Sequence, residues 1–254
     1  INRPFDARTV YRRAFNTIRL YSKQRRLVRM VSAQTRKQEH NTTMLVNVLS
    51  QIVEFRNGES GSHVRHIRIL TEKIMAQLLR KTDKYSLSSE EQDNITLASA
   101  LHDIGKIAID EKILNKPGRL TLEEFAVIKT HTTEGAALLH RLENFDTEPL
   151  LQTACDIARW HHERWDGRGY PDGLAGDDIP IGAQLVSLAD VYDALTSERC
   201  YKKAFPHEKA VQMILGGECG AFNPLLLECL KDIEGSLQAE LKKDYQSDPA
   251  ELEV

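Results

Sequence analysis

The stretch His161-His162-Glu163-Arg164-Trp165-Asp166-Gly167-Arg168-Gly169-Tyr170-Pro171 ends an apolar run with two adjacent histidines and continues at once into a glycine-rich loop. Imidazole is the commonest protein ligand for a catalytic metal ion. A loop with glycines, an aromatic side chain and a proline can approach a flat ligand closely. This stretch therefore predicts a metal site with a ligand-binding loop beside it.

A second histidine motif, His102-Asp103-Ile104-Gly105-Lys106, lies upstream and places an imidazole next to a carboxylate. Such a carboxylate can bridge two metal ions. Paired ions lower the pKa of a bound water and hold both the attacking and the leaving oxygen of an in-line phosphoryl displacement. The two motifs together predict a metal-dependent site that cleaves a phosphate ester.

Apolar residues recur at spacings of three and four along most of the chain, a pattern that predicts helices. No segment alternates convincingly in the way a strand does. We therefore expect an all-α helical bundle with a long N-terminal helical connector. The predicted helices cover 7–55, with Asn41-Thr42-Thr43 as a candidate cap, and then 63–81, 90–103, 121–140, 149–163, 181–197, 206–215 and 222–242.

Further metal-ligand types are scattered over several of these helices, and they can converge only at the centre of a bundle. Taken alone, each has an ordinary explanation: a histidine at a helix end caps or faces solvent, Asp190 could be a paired core carboxylate, and a loop glutamate such as Glu59 is usually solvated. Imidazoles with carboxylates suit Fe, Mn, Zn, Ni or Co. The candidates are Glu59, His63, His102, Asp103, His131, His161, His162 and Asp190.

Composition limits the remaining classes. The chain has 254 residues, 41% of them hydrophobic, and a net charge of -3, which argues against a strongly basic DNA-binding surface. Four cysteines without a CxxC pair are typical of reduced thiols in a cytoplasmic protein. No apolar run is long enough to span a membrane and no signal peptide is visible, and the absence of an initiator methionine predicts a fragment of a longer chain.

The motifs resemble the HD-GYP family, a branch of the HD-domain phosphohydrolases, over about residues 45–233. Members hydrolyse cyclic di-GMP to pGpG and often on to GMP, so the resemblance implies a cyclic di-GMP phosphodiesterase of second-messenger signalling. It also implies two or three divalent ions, with Fe or Mn ahead of Zn, Ni or Co. The matching segments are 102–108, 116–118, 129–131, 161–174 and 189–197.

The same resemblance implies roles for individual residues. All eight candidates would be metal ligands, with Asp103 bridging and Glu59 recruiting a third ion. His102, Asp103 and Lys106 would be catalytic. One departure stands out, since His66 occupies a position where the family usually has arginine, so a contact around the metals is either weakened or replaced. The implied substrate-binding residues are Lys106, Gly169, Tyr170, Pro171, Arg199 and Lys202, while Glu163, Arg164 and Asp166 would brace the loop.

The amino end resembles the last part of a response-regulator receiver domain, through Asn2-Arg3-Pro4-Phe5-Asp6 and the helix that follows. This implies an upstream receiver domain and a sensor kinase. A helical connector of this kind often pairs with a second chain, so we expect a homodimer. The predicted organisation is a receiver remnant at 1–22, a linker at 23–44, the HD-GYP domain at 45–240 and a polar acidic tail at 241–254.

Two other functions remain open from the sequence. The chain could be a weakly active sensor of a cyclic dinucleotide that passes a signal to another protein. It could also hydrolyse cyclic GMP-AMP, because the Gly-Tyr-Pro loop favours a cyclic dinucleotide without selecting its bases. A complete ligand set favours an enzyme, since a sensor has no chemical need for so many ligands.

Overall fold

A computed structural model describes residues 6–57, 62–197 and 204–246 of the chain. Within these ranges the regular structure is helical and no residue lies in a strand. The prediction of an all-α fold is confirmed.

The chain divides into two compact units, residues Ile1–Leu45 and Val46–Val254. The described part of the first unit belongs almost entirely to helix α1 (Ala7–Asn57), and large apolar side chains there, such as Tyr11, Phe15 and Leu20, are exposed. The helix continues through Asn41-Thr42-Thr43, so this cluster is not the cap that we considered. Apolar residues resume directly after it, and a modest local loss of helix propensity does not end a helix.

The second unit holds the rest of the helices. Short 3-10 helices lie at Ser99–Leu101, Ile104–Ala108, Phe145–Thr147 and Gly176–Asp178. The α-helices are α2 (Ser62–Lys81), α3 (Ser89–Ala98), α4 (Glu111–Leu114), α5 (Leu122–Lys129), α6 (His131–His140), α7 (Pro149–Trp160), α8 (Ile181–Thr196), α9 (His207–Leu215) and α10 (Pro224–Gln246).

Helix α2 runs through the centre of this unit and contacts α3, α8 and α10. Its residues Ile67, Leu70, Ile74 and Leu78 follow the three-four spacing of the sequence and are completely buried. Burying such a side chain contributes about 1.5–3 kcal/mol. The apolar face of α2 thus fixes its rotation, and with it the direction in which its polar residues point.

Side-chain caps set the start of two helices. Ser88 accepts a hydrogen bond from the Glu91 N–H while the Glu91 carboxylate accepts one from the Ser88 N–H, and Thr121 with Glu124 forms the same capping box at α5. Each cap satisfies two helix-end donors, for about 1 kcal/mol.

Three predicted helices end or break where the metal-ligand candidates lie. Helix α3 ends at Ala98, so His102 and Asp103 follow it in a turn and do not end a helix that spans 90–103. The predicted helix 121–140 is two helices, and His131 begins the second. Helix α7 ends at Trp160. Apolar periodicity continues across such short breaks and therefore cannot detect them.

Close packing of two glycines holds the 3-10 helix Ile104–Ala108 against α6. A Cβ atom on Gly105 would lie 1.9 Å from the carbonyl oxygen of His131 and 2.4 Å from the nitrogen of Gly135. Only glycine permits this approach of two backbones. The contact brings Asp103, at the start of the 3-10 helix, next to His131 at the start of α6.

The C-terminal helix α10 is described as far as Gln246, and the domain boundaries stay a prediction. Cys155 and Cys229 are free thiols. None of the helices in the described ranges has the length and apolar character needed to cross a membrane.

Candidate metal centre

Two groups of ligand-type side chains lie in the interior of the second unit. In the first group, one ligand atom each from His63, His102 and Asp103 lies within 4.8 Å of the others. In the second group, His131, His161 and His162 meet the same limit, and the Nε2 atoms of His131 and His161 are 3.5 Å apart.

Asp103 joins the two groups. Its Oδ2 lies 3.3 Å from Nε2 of His102, while its Oδ1 lies 3.3 Å from Nε2 of His131 and 3.9 Å from Nε2 of His161. Each oxygen thus faces a different group, which is the arrangement that a bridging carboxylate requires. Asp190 of α8 extends the first group, with its Oδ1 3.9 Å from Nε2 of His63.

Main-chain carbonyl groups orient three of the histidines. Each ring places Nδ1 within hydrogen-bonding distance of a carbonyl oxygen on the preceding turn. A carbonyl can only accept, so Nδ1 carries the proton and Nε2 presents a lone pair to the centre. The pairs are His102 with Ser99 at 2.9 Å, His131 with Ile128 at 2.7 Å and His161 with Ile157 at 2.9 Å.

Burial keeps the second group neutral. It lowers the pKa of the His162 imidazole to about 4 and holds the pKa of His161 well below its usual range, and the pKa of His131 is lowered for the same reason. Neutral imidazole is the form that binds a metal ion. Burial alone would raise the pKa of Asp103, but the nearby positive charge, chiefly that of Lys106, outweighs it and lowers that pKa, so this carboxylate is ionised.

The donor set fits divalent ions. His102 Nε2 and Asp103 Oδ1 are buried, and neither has a hydrogen-bond partner within the described residues. Buried polar atoms without partners are costly, and a cation at each of the two groups would satisfy them. Beside the first group lies a cavity of about 10 Å³, lined in part by Asn57 and His63, which is the size of a single water or ion.

His63 has a different support, which sequence reasoning missed. Its Nδ1 lies 2.7 Å from Oδ2 of Asp193, a buried residue one helical turn after Asp190 on α8. The other oxygen, Oδ1, lies 2.8 Å from Nδ1 of His66. His66 therefore supplies a contact of its own at the position where the resembling family has arginine. Two aspartates at a spacing of three in one helix are the signal that could have identified Asp193.

Lys106 points into the same centre, as its position one turn after Asp103 predicts. Its Nζ lies 2.6 Å from Oδ2 of Asp103. The guanidinium of Arg56 donates hydrogen bonds to the carbonyl oxygens of Lys106, Ile107 and Ile109, the last at 2.8 Å. These hydrogen bonds fix the backbone that carries Lys106.

The loop after His162 lies against the second group. The ring of Tyr170 stacks on that of His162, with centroids 4.8 Å apart. Glu163 Oε1 accepts hydrogen bonds from the N–H groups of Asp172 at 2.7 Å and Gly173 at 2.9 Å, so this residue braces the loop as expected. A Cβ atom on Gly169 would lie 2.4 Å from backbone atoms of the Glu163–Arg164 segment, so the loop folds tightly onto itself.

Lys129 is a second residue whose role the sequence did not indicate. Its Nζ lies 5.6 Å from the centre of the Tyr170 ring and 5.5 Å from that of Phe125. Both are cation–π distances. The lysine therefore holds a positive charge beside the loop, at the edge of the second ligand group.

Seven of the eight predicted metal ligands and Lys106 come together in this centre, although they come from segments far apart in sequence. Gly169, Tyr170 and Pro171 lie in the adjacent loop. Glu59, Arg199 and Lys202 lie outside the described residues.

Comparisons with known proteins identify the family and the fold of this chain. The family model for the HD domain matches residues 47–218, and this chain therefore belongs to the HD-domain family. A solved structure of an HDG"Y"P protein from Bdellovibrio bacteriovorus has the same fold, with a TM-score of 0.50 and 23% identity over 76% of this chain and 63% of that chain.

Two relatives from Vibrio cholerae are more similar in sequence. The chain is similar to a "Probable cyclic di-GMP phosphodiesterase", with 43% identity over 188 residues, which are 72% of this chain and 42% of that protein. It is also similar to "3'3'-cGAMP-specific phosphodiesterase 2", with 40% identity over 73% of this chain and 34% of that protein. The chain thus spans less than half the length of these relatives.

Proposed function

We propose that this protein is a metal-dependent phosphodiesterase that hydrolyses cyclic di-GMP. The observation that carries the proposal is the position of Asp103. Its two carboxylate oxygens face two separate groups of metal-ligand histidines. The names of relatives at 35–43% identity support the substrate class.

Seven side chains of the centre would hold the ions. His63, His102 and Asp190 would serve one ion, His131, His161 and His162 would serve the other, and Asp103 would serve both. When bound, divalent ions would supply Lewis acidity toward a phosphoryl oxygen and lower the pKa of water. Iron or manganese is our first choice for this mixed imidazole and carboxylate set, with Zn, Ni and Co as alternatives. A third ion would need Glu59.

The remaining residues of the site bind and orient the substrate. Lys106 places an ammonium group at the centre, where it neutralises charge on a phosphate. Tyr170 offers a ring for stacking with a guanine base, supported from behind by His162. Gly169 and Pro171 shape the loop that holds this ring, and we assign the second phosphate to Arg199 and Lys202, as the family resemblance implies.

The proposal also specifies the reaction products and the nucleobases of the substrate. We expect pGpG first and GMP after a second cleavage. Cyclic GMP-AMP is the alternative substrate, favoured by the name of the second Vibrio relative. A weakly active sensor is the third possibility, and the complete ligand set argues against it.

The proposed setting is a cytoplasmic two-component response regulator. An upstream receiver domain, controlled by a sensor kinase, would pass its signal through the long helix α1. The exposed apolar residues of that helix, such as Phe15 and Ile18, would pair with a second copy of the chain to form a homodimer. Neither DNA nor a membrane is a partner in this proposal.

One experiment tests the activity. The protein is purified anaerobically, its metals are measured, and the products formed from cyclic di-GMP and cyclic GMP-AMP are separated by chromatography. We expect at least two ions per chain and release of pGpG. The Asp103→Ala variant serves as the inactive control, and Glu90→Gln on the exposed first turn of α3 as the active one. Cleavage by Asp103→Ala at the wild-type rate would refute the mechanism.

A further inference from the structure

The carboxylate of Asp193 lies between two histidines of the neighbouring helix. His63 and His66 are one turn apart on α2, and their Nδ1 atoms lie 2.7 Å and 2.8 Å from different oxygens of Asp193 on α8. All three side chains are at most 6% exposed. The arrangement is therefore a built contact between two core helices.

A carboxylate accepts hydrogen bonds and does not donate them when ionised. Nδ1 of His63 therefore carries a proton, and its Nε2 keeps the lone pair that faces Asp190, 3.9 Å away. The orientation of the His63 ring therefore depends on the Asp193 side chain. That side chain could turn about its own bonds if nothing else held it.

His66 removes that freedom. It engages Oδ1 of Asp193 while His63 engages Oδ2, and the hydroxyl of Ser197 donates a further hydrogen bond to Oδ1 at 2.9 Å. A carboxylate fixed at both oxygens cannot turn without losing hydrogen bonds of about 1.5–3 kcal/mol each, since one partner is charged. His66 thus acts on the metal centre through Asp193.

We propose that Asp193 and His66 are positioning residues for the first metal-ligand group, in which Asp193 fixes the ring of His63 and His66 fixes Asp193. The inference rests on the metal centre of the proposed function, and it is independent of which cyclic dinucleotide is the substrate. It assigns a role to His66, which lies at a position where the resembling family usually has arginine.

The experiment measures binding of Mn²⁺ to the metal-stripped protein by equilibrium dialysis and elemental analysis. We expect Asp193→Asn to weaken one ion by about 10- to 100-fold, the effect typical of losing a group that orients a metal ligand. The other ion should keep its wild-type affinity. Asp146→Asn, an exposed aspartate in a short 3-10 helix, is the control for the change in charge.

Two substitutions at position 66 separate positioning from a purely structural role. His66→Asn retains a donor near the place of Nδ1 and should bind Mn²⁺ as the wild type does. His66→Leu removes the donor and should weaken the same ion as Asp193→Asn does. This pair decides the question even if Asp193→Asn fails to fold.

Failure of the positioning role can be distinguished from failure of the proposed metal centre. Unchanged Mn²⁺ affinities in both Asp193→Asn and His66→Leu would overturn the positioning role while leaving the metal centre in place. Equal loss in His66→Leu and His66→Asn would also overturn it, because the donor would then be irrelevant. A wild-type protein that binds no Mn²⁺ and no other divalent ion would instead refute the metal centre of the proposed function.

Discussion

Each ligand group is one half of the metal centre, and main-chain carbonyl groups orient histidines in both halves, but the half that contains His63 also relies on a distant side chain. His102, His131 and His161 donate their Nδ1 protons to carbonyl oxygens of their own preceding turns, whereas His63 relies on the side chain of Asp193. Orientation by a local carbonyl is part of the backbone and persists under most substitutions. Orientation by a distant side chain depends on Asp193 and the residues that hold it, so the half that contains His63 can be changed without altering the other half.

Asp103 belongs to both halves, and we expect its loss to have the largest effect. Asp103→Asn retains the shape but removes the charge that lies between the two groups. The value of kcat should fall on the order of 10³-fold, and both ions should bind more weakly. Metal analysis with single-turnover kinetics would measure this. Loss of only one ion would mean that the carboxylate serves one half alone.

Gly105 tests the half that contains His131 and His161, both of which main-chain carbonyl groups orient. Gly105→Ala would place a Cβ atom 1.9 Å from the His131 carbonyl oxygen, so the 3-10 helix and α6 must separate. We expect a loss of about 1–3 kcal/mol in the free energy of unfolding, typical of overpacking, together with weaker binding of the ion held by His131.

Urea unfolding of the metal-free protein measures this change, and Gly235→Ala is the matched control. A Cβ atom on Gly235, in α10, would meet nothing within 4 Å. This variant should be as stable as the wild type or gain up to about 1 kcal/mol. Equal stability of the two variants would show that the close approach at Gly105 is not required.

We expect substitution of Tyr170 to have the smallest effect and to change substrate binding alone. Its ring rests on His162, in the half that contains the loop, and it is not a metal ligand. Tyr170→Ala should raise KM roughly tenfold by removing a stacking surface worth about 1–3 kcal/mol per base. Tyr170→Phe should stay near wild type, and neither variant should change the metal content. A change in bound metal would mean that the ring supports His162 instead of the substrate.

The order of these effects follows from how much of the centre each residue supports. Asp103 contacts both halves, Gly105 positions one of them, and Tyr170 touches a single ligand from outside. If the three substitutions ranked differently, the two halves of the metal centre would depend on each other more than their separate contacts indicate.

Much of the site could be predicted because its chemistry is carried by local motifs. His102-Asp103 and His161-His162 are adjacent pairs, and Lys106 follows Asp103 at a spacing that places both on one side of a short helix. The all-α fold was equally accessible, because a three-four apolar spacing is a property of the chain itself.

The breaks between helices could not be predicted from local motifs or apolar spacing. The split at Thr130 and the end of α3 at Ala98 leave the apolar pattern unchanged, yet they turn His131 and Asp103 toward each other. The need for glycine at position 105 is likewise invisible, since it arises from a backbone that arrives from another part of the chain.

By itself the sequence determined which residue types could bind metal ions and that helices would carry them, because motif chemistry and periodicity are local. Only the tertiary structure decided that Asp103 faces both groups and that His66 reaches Asp193, because these distances depend on how α2, α8 and the turn after α3 pack. Packing is set by side chains distant in sequence, and no local pattern records which of them will meet.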